Sequence, residues 1–318
     1  MLSVETVGDY LRARRLVDGP VRAWTLAGGV SNIVLAVDCA GRRWVVKQSL
    51  PQLRVAEEWK AKQQRTLNEG RGLRLVRTIT REFVPSVVDI DESEFCIVID
   101  RAPDGWTDWK AALLAGSVDP RVAATLGELL AKWQVELTVP DERLTALDDP
   151  EAFDQLRVGP YYRAVAEQLP ALADAVNDVV AGMAANKLCL VHGDYSPKNV
   201  LVGPSGLWVV DFEVAHLGDP SFDVAFMLTH LLMKSIHLPA HADALRSAAS
   251  EFHAAYGNHA APFSADHLAG QLGCLLLARV VGKSPAEYLD QDGRDQVLWL
   301  GERLLAERSA ALRKVVAA

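Results

Sequence analysis

Apolar positions along this chain follow two regimes. Over the first hundred residues they alternate or run in short blocks, which predicts strands over 21–26, 33–37, 43–47, 86–90 and 95–99. Gly28 and Gly29 separate the first strand from the second, and Asp38 to Gly41 is a polar turn before the third. A charged, helix-favouring stretch covers about 56–76. The polar segment from Asp100 to Gly105, with Pro103 and Gly105, reads as a connector. Beyond it the spacing turns helical. Asp119 before Pro120 is a capping acid followed by a first-turn proline. Val122, Leu126, Leu129, Leu130, Trp133 and Leu137 then recur at helical intervals. Leu169, Leu172, Val176 and Val180 predict a further helix, the strongly apolar block 222–233 a buried one, and 268–281 and 297–305 two more. No internal repeat or low-complexity segment interrupts this plan. The expected class is α+β and bilobal: a β-rich lobe over 1–100, a hinge at 101–105 and a mainly helical lobe over 106–318.

Composition narrows the classes. The 318 residues are 50% apolar, enough for a sizeable core, and the net charge is -8 with no basic run. Neither nucleic acid nor an anionic membrane surface is therefore expected as the main partner. The start, from Met1 to Glu5, lacks the basic and apolar regions of a signal peptide, and no apolar run approaches the ~20 residues that span a bilayer. Cys39, Cys96, Cys189 and Cys274 lie far apart without metal-site spacing, so buried free thiols in a reducing cytoplasm are the expectation.

The chemistry concentrates between His192 and Glu213. His192-Gly193-Asp194 is followed five residues after the aspartate by Asn199, and Asp211 comes twelve residues later in Asp211-Phe212-Glu213. Between them, Val200 to Val202 and Leu207 to Val210 flank the turn Gly203 to Gly206 and predict a hairpin. A short loop and two strands bring three side chains to one place. One must reach a hydroxyl and two must reach Mg²⁺ between phosphates, which is the layout of phosphoryl transfer. His-Gly-Asp alone, or an aspartate after an apolar strand, is ordinary; the joint pattern is not. Upstream, Gly28, Gly29, Ser31 and Asn32 join the first two strands and could approach a phosphate closely, although by themselves they read as a hairpin turn. Lys47, 15 residues after Asn32, sits where a phosphate-pairing strand lysine is needed. Its acidic partner must come from the next helix. Among Glu57, Glu58 and Glu69, the last is preferred.

These motifs resemble the aminoglycoside phosphotransferase and choline kinase superfamily of small-molecule kinases, from Gly28 to the last helices. Gly218-Asp219-Pro220-Ser221-Phe222-Asp223-Val224-Ala225 is similar to that superfamily's Gly-Asp-Pro-x-x-Asp-Leu-Ala segment. The resemblance implies a protein-kinase-like fold and ATP-dependent phosphorylation of a small-molecule hydroxyl. Asp194 would orient the hydroxyl and take its proton. Asn199 and Asp211 would hold Mg²⁺, and Glu213 would be either a second metal ligand or a loop acid. Lys47, steadied by Glu69, would clamp the phosphates, and the adenine would lie near Ile99 to Ala102. His192 and Asp223 would be structural. Some segments are similar to methylthioribose kinases: Lys47 to Pro51, Glu58-Trp59, Arg65 to Glu69, Asp108 to Gly116, and Ala278 to Gly282. The residues after His-Gly-Asp, and Asp-Phe-Glu in place of Asp-Pro-Glu, follow the general superfamily form instead.

Substrate contacts are expected in the helical lobe, with Trp59, Tyr161, Tyr162 and Arg279 as candidates. Arg279 lies inside an apolar helix, and a buried arginine costs free energy unless paired. It either meets an internal acid or faces an anionic or polyhydroxyl substrate. The acceptor class stays open among sugars, amino alcohols and related metabolites. An aminoglycoside kinase, which would need an acidic pocket rim, is one alternative, and a nucleotide-binding pseudokinase regulator is another. A protein kinase is not expected: there is no Ala-Pro-Glu segment, and Gly218 comes seven positions after Asp211. A homodimer is compatible with the chain.

Overall fold

The computed structural model describes residues 1–26, 32–50, 62–260 and 263–316. They divide into two compact units, Met1–Trp106 with Trp208–Val214, and Thr107–Leu207 with Ala215–Ala318. The segment carrying Asp211 and Glu213 thus belongs with the first hundred residues, although chain order places it among the helices.

The first unit holds helix α1 (Val7–Ala13), strands β1 (Arg22–Thr25), β2 (Asn32–Cys39) and β3 (Arg42–Ser49), helix α2 (Gln64–Arg77), and strands β4 (Val87–Asp91) and β5 (Cys96–Asp100). The strands form one antiparallel sheet in the order β1-β2-β3-β5-β4. Side chains alternate across it. Leu35, Val37, Cys39, Trp44, Val46, Cys96 and Val98 share a core with Val7 and Leu11 of α1. Lys47 and its neighbour across the ladder, Ile97, face the other way, toward α2. That helix comes in close at Gly70: a methyl group there would lie 2.7 Å from Ile90 Cδ1 and 3.2 Å from Ile97 Cγ2.

Strand β3 is longer than its apolar pattern, so Lys47 lies within it rather than at its end. Gln48 and Ser49 extend it because they pair with Ile33 and Asn32 and their side chains find partners. Leu2 N–H donates to Gln48 Oε1 at 2.7 Å, Gln48 Nε2 donates to the Glu94 carbonyl at 3.1 Å, and Ser49 Oγ donates to the Gln63 carbonyl at 2.8 Å. The predicted helix over 56–76 is observed from Gln64, and residues 51–61 lie outside the described set.

The second unit opens with β6 (Thr107–Asp108), α3 (Trp109–Leu114) and α4 (Pro120–Glu136), the last capped as predicted by Asp119, whose carboxylate accepts the Arg121 N–H at 3.0 Å. Next come α5 (Pro150–Phe153), a wide π-type segment (Asp154–Arg163), α6 (Ala164–Gln168) and α7 (Ala173–Ala185). The helix expected from Leu169 starts only at Ala173, because Pro170 opens a separate 3₁₀ turn. Strands β7 (Cys189–Val191), β8 (Val200–Gly203), β9 (Gly206–Val209, whose last two residues belong to the first unit) and β10 (His216–Gly218) frame the motif region. β7 pairs with β10, and β6, β8 and β9 make the predicted hairpin into a three-stranded sheet. Helices α8 (Ser221–His237), α9 (Ala242–Gly257), α10 (Ala265–Val281), α11 (Gln291–Glu307) and α12 (Ser309–Val316) complete the unit. α8 and α10 form its core, and α10 crosses α11 at Gly273, where an added methyl would lie 2.9 Å from the Gly301 carbonyl oxygen. No helix among the described residues is long and apolar enough to cross a membrane. All four cysteines are buried and free.

Candidate active site

Two groups of polar side chains stand out, one in each unit. In the first, Lys47 reaches from β3 to helix α2 and to the segment after β9. Its Nζ donates to Glu69 Oε1 at 2.6 Å and to Asp211 Oδ1 at 3.0 Å. Burial alone would lower the lysine's pKa, but Asp211 and Glu69 outweigh it and hold the ammonium above its ordinary value. Glu69 is fully buried; burial raises its carboxyl, while Lys47 opposes this. Arg65 lies one helical turn before Glu69 on the same face. Its Nε is 3.5 Å from Glu213 Oε2, and two of its other nitrogens donate to the Leu50 and Lys62 carbonyls. Asn32 Nδ2 donates to the same Glu213 oxygen at 2.9 Å, while Asn32 Oδ1 accepts from Thr66 Oγ1 at 3.3 Å. Burial and the nearby Asp211 raise the Glu213 carboxyl. Asp211 itself has φ of 72°, a left-handed backbone that turns its side chain out of the strand line. Asn32, expected as a phosphate donor, here holds Glu213.

In the second unit the loop after β7 carries Asp194, and both carboxylate oxygens are occupied. Oδ1 lies 3.0 Å from Arg157 NH2; Oδ2 lies 2.8 Å from Lys198 Nζ and accepts from Asn199 Nδ2 at 2.9 Å. Burial would raise this carboxyl, but Lys198 and Arg157 dominate and bring it down to about 2. Asn199 Nδ2 also donates to the Asp194 carbonyl at 2.9 Å, so Oδ1 is the Asn199 atom left to meet a cation. The loop is built on Asp223 of α8, whose carboxylate accepts the N–H of His192 at 2.7 Å and of Gly193 at 2.9 Å. Burial pushes the Asp223 carboxyl up to about 7 against those two hydrogen bonds. Gly193 has φ of 76°, which a side chain would strain. His192 Nδ1 accepts the Asp194 N–H at 3.2 Å.

The candidate metal ligands Asn199, Asp211 and Glu213 offer oxygen donors only, which suits a hard cation. Among the described residues no group of three or more acid, histidine or cysteine side chains could hold a metal by itself. Mg²⁺ has little need of such a cage, since it keeps waters and shares phosphate oxygens with one or two carboxylates.

Arg279 on α10 donates to Ser284 Oγ at 3.0 Å and contacts the Tyr161 hydroxyl at 3.4 Å, and no carboxylate among the described residues pairs with it. The internal acid that one reading of the sequence supplied is thus not among the described residues. Tyr162 is fully buried and donates to Gln271 Oε1 at 2.5 Å, which places it in the core. Ile99 is a buried strand residue, and Ala102 is half-buried in the segment after β5. Gly28, Gly29, Ser31 and Trp59 lie outside the described residues. Sequence reasoning passed over Arg157 and Lys198. The signals were present: Arg157 is the one charge in an otherwise apolar and neutral run from Leu156 to Tyr162, and Lys198 lies four residues after Asp194 within the motif.

Known proteins share this chain's family and fold. Residues 24–261 match the model of the phosphotransferase enzyme family. A methylthioribose kinase of Pectobacterium atrosepticum is 27% identical over 262 residues, covering 73% of this chain and 65% of the relative, so the chain spans just under two thirds of that protein's length. Among solved structures, a choline/ethanolamine kinase family protein from Mesorhizobium loti aligns with a TM-score of 0.56 at 16% identity, covering 96% of this chain and 99% of the other. A spectinomycin phosphotransferase in complex with ADP and spectinomycin aligns with a TM-score of 0.53 at 14% identity, over 98% and 92% of the two chains. The fold is that of these kinases, and the chain belongs to the phosphotransferase enzyme family.

Proposed function

We propose that this protein transfers the γ-phosphoryl group of ATP to a hydroxyl of a small molecule. The observation that carries the reading is the Lys47 ammonium held at once by Glu69 and Asp211, at 2.6 and 3.0 Å. A phosphate-clamping lysine pinned by a helix glutamate, beside a metal-binding aspartate, is what phosphoryl transfer requires of the nucleotide side. The ADP-bound spectinomycin phosphotransferase supports a nucleotide as the donor.

The family resemblance and these contacts support the following roles. Lys47 binds the phosphates and Glu69 fixes its direction. Asp211 and the Asn199 amide oxygen would each offer an oxygen to Mg²⁺, with Glu213 as a further acid beside Asp211; the ion would offset charge that develops on the phosphates. Asp194 accepts a hydrogen bond from the acceptor hydroxyl and aims its oxygen. With a carboxyl at about 2, Asp194 is ionised throughout the neutral range and acts mainly by orienting the hydroxyl, taking its proton late. Asp223 and His192 keep the loop's backbone in place. The methylthioribose kinase relative supports a sugar-like acceptor, and choline and aminoglycosides stay in the test set because the aligned structures include kinases of both kinds.

The test is ADP release from Mg²⁺-ATP against pentoses, methylthioribose, choline, homoserine and aminoglycosides, with Asp194→Asn and Lys47→Met as controls. Acceptor-dependent release that both variants lose supports the reading. Nucleotide binding without release on any acceptor would favour a regulatory pseudokinase.

A further inference from the structure

The helical unit contains cationic and polar groups that its own residues do not neutralise. Lys234 on α8 is fully buried. Its Nζ donates to the His230 carbonyl at 3.2 Å and lies 5.6 Å from the Tyr288 ring centroid, but no carboxylate among the described residues bonds to it. Asp108 is near enough to be felt, yet its carboxylate caps α3 through the Ala111 N–H. Beside this lysine, and among the described residues, Arg279 has a buried Nε with no partner, and the buried Tyr288 hydroxyl also lacks one. Unpaired buried charge and unpaired donors are costly, and each such group calls for an explanation. Burial first, then Lys110 and Arg279, depress Lys234 to about 7 against Asp108, so its cationic neighbours add to the cost of burying its charge.

The same field runs to Asp194. The Arg279 guanidinium contacts the Tyr161 hydroxyl, and Arg157 lies 5.7 Å from the Tyr161 ring centroid while reaching Asp194. Arg157 and Lys198 thus bond Asp194, whereas Arg279 and Lys234 bond no carboxylate among the described residues. A polyamine or quaternary amine acceptor would meet like charge here. An anion would supply the counter-charge that the half-buried Arg279 guanidinium lacks among the described residues.

We propose that the acceptor carries, besides its reacting hydroxyl, a carboxylate or phosphate group that docks on Arg279, beside Tyr161 and Ser284, in the field of Arg157 and the buried Lys234. This rests on the reading of the protein as a small-molecule kinase and narrows its substrate class.

The test uses matched probes. Neutral sugars (glucose, ribose, methylthioribose) are compared with sugar acids (gluconate, ribonate), sugar phosphates (glucose 6-phosphate, ribose 5-phosphate) and cations (glucosamine, choline, kanamycin). Each is scored by ADP release and, without nucleotide, by thermal shift. The expected result is an acid or a phosphate exceeding its neutral parent at least about 10-fold in kcat/KM, the size of one charge-assisted hydrogen bond. Arg279→Gln raises KM for that probe about 10–100-fold with kcat little changed, and Lys234→Met, which preserves the apolar packing, raises it several-fold. The acid and phosphate arms tell the two anions apart. A neutral or cationic best substrate, no binding by any anionic probe at millimolar concentration, or an unchanged KM in both variants overturns the proposal. Anion-dependent stabilisation without ADP release would contradict the kinase reading and leave this site standing.

Discussion

Arg157 fixes Asp194 from two directions: its NH2 lies 3.0 Å from the carboxylate Oδ1, and its Nε donates to the Gly193 carbonyl at 2.7 Å. One guanidinium therefore sets both the side chain and the backbone just before it. Lys198 alone would leave the Oδ1 side of the carboxylate unheld. Replacing Arg157 with Gln removes a cation that opposes burial, so the Asp194 carboxyl rises from about 2. The acid limb of kcat/KM then moves to higher pH, because Asp194 is protonated in a range where the wild type is ionised. The pH–rate profile of the variant checks this; an unmoved acid limb would show that Arg157 is only a packing residue.

Glu69→Gln keeps the volume but removes the charge that faces Lys47. Losing one member of a buried ion pair costs about 3–5 kcal/mol in stability. The neutral amide retains a hydrogen bond, so the lower end of that range is expected. Urea denaturation gives the stability change, and nucleotide titration should show weaker ATP binding together with reduced kcat. Normal nucleotide affinity in a folded variant would remove Glu69 from the phosphate clamp.

Much of this was legible in the sequence, and the gaps have physical causes. The sheet strands are amphipathic over several residues each, so period-two alternation reveals them. Helix α1 buries only Val7 and Leu11, too short a stripe for periodicity to register. Asp194, Asn199 and Asp211 carry a spacing that only a loop and hairpin satisfy. Arg65 and Arg157 carry no such spacing, and Lys198, although inside the motif, is not marked out by it from an ordinary solvated lysine. Their importance comes from burial or from contacts made only once the chain has folded: Arg157 reaches Asp194 from 37 positions upstream. Arg279 was visible as an anomaly, a charge in an apolar helix, but only the structure shows that its partners among the described residues are two hydroxyls, those of Tyr161 and Ser284.

Asp223 presents both carboxylate oxygens to backbone donors, the His192 and Gly193 N–H groups. Asp223→Asn sets an amide NH₂ against one of them. An unsatisfied buried N–H costs about 1–3 kcal/mol, and the loop bearing Asp194 should loosen. Denaturation of the variant should show that loss, with kcat falling more than nucleotide affinity. Wild-type kcat in this variant would mean that the loop does not depend on Asp223.

Lys234 makes a pH-dependent contribution of unusual sign. Its pKa in the folded protein is near 7, below the about 10.4 of an unfolded chain. Between those values the unfolded state binds the extra proton, so this group's contribution to stability rises with pH. Lys234→Met should be the more stable protein at pH 7. That advantage should shrink by roughly 1.4 kcal/mol per pH unit on going to pH 9. Paired denaturation curves at the two pH values measure it, and a pH-independent difference would show Lys234 to be an ordinary charged lysine.

The central claim is that Asp194 directs phosphoryl transfer to a small-molecule hydroxyl. The most direct test is acceptor-dependent ADP release from Mg²⁺-ATP by the wild type and by Asp194→Asn, with nucleotide binding measured on both. The account predicts turnover in the wild type, a loss of about 10²–10⁴-fold in the variant, and nearly equal nucleotide affinity. Turnover that survives the substitution would contradict it.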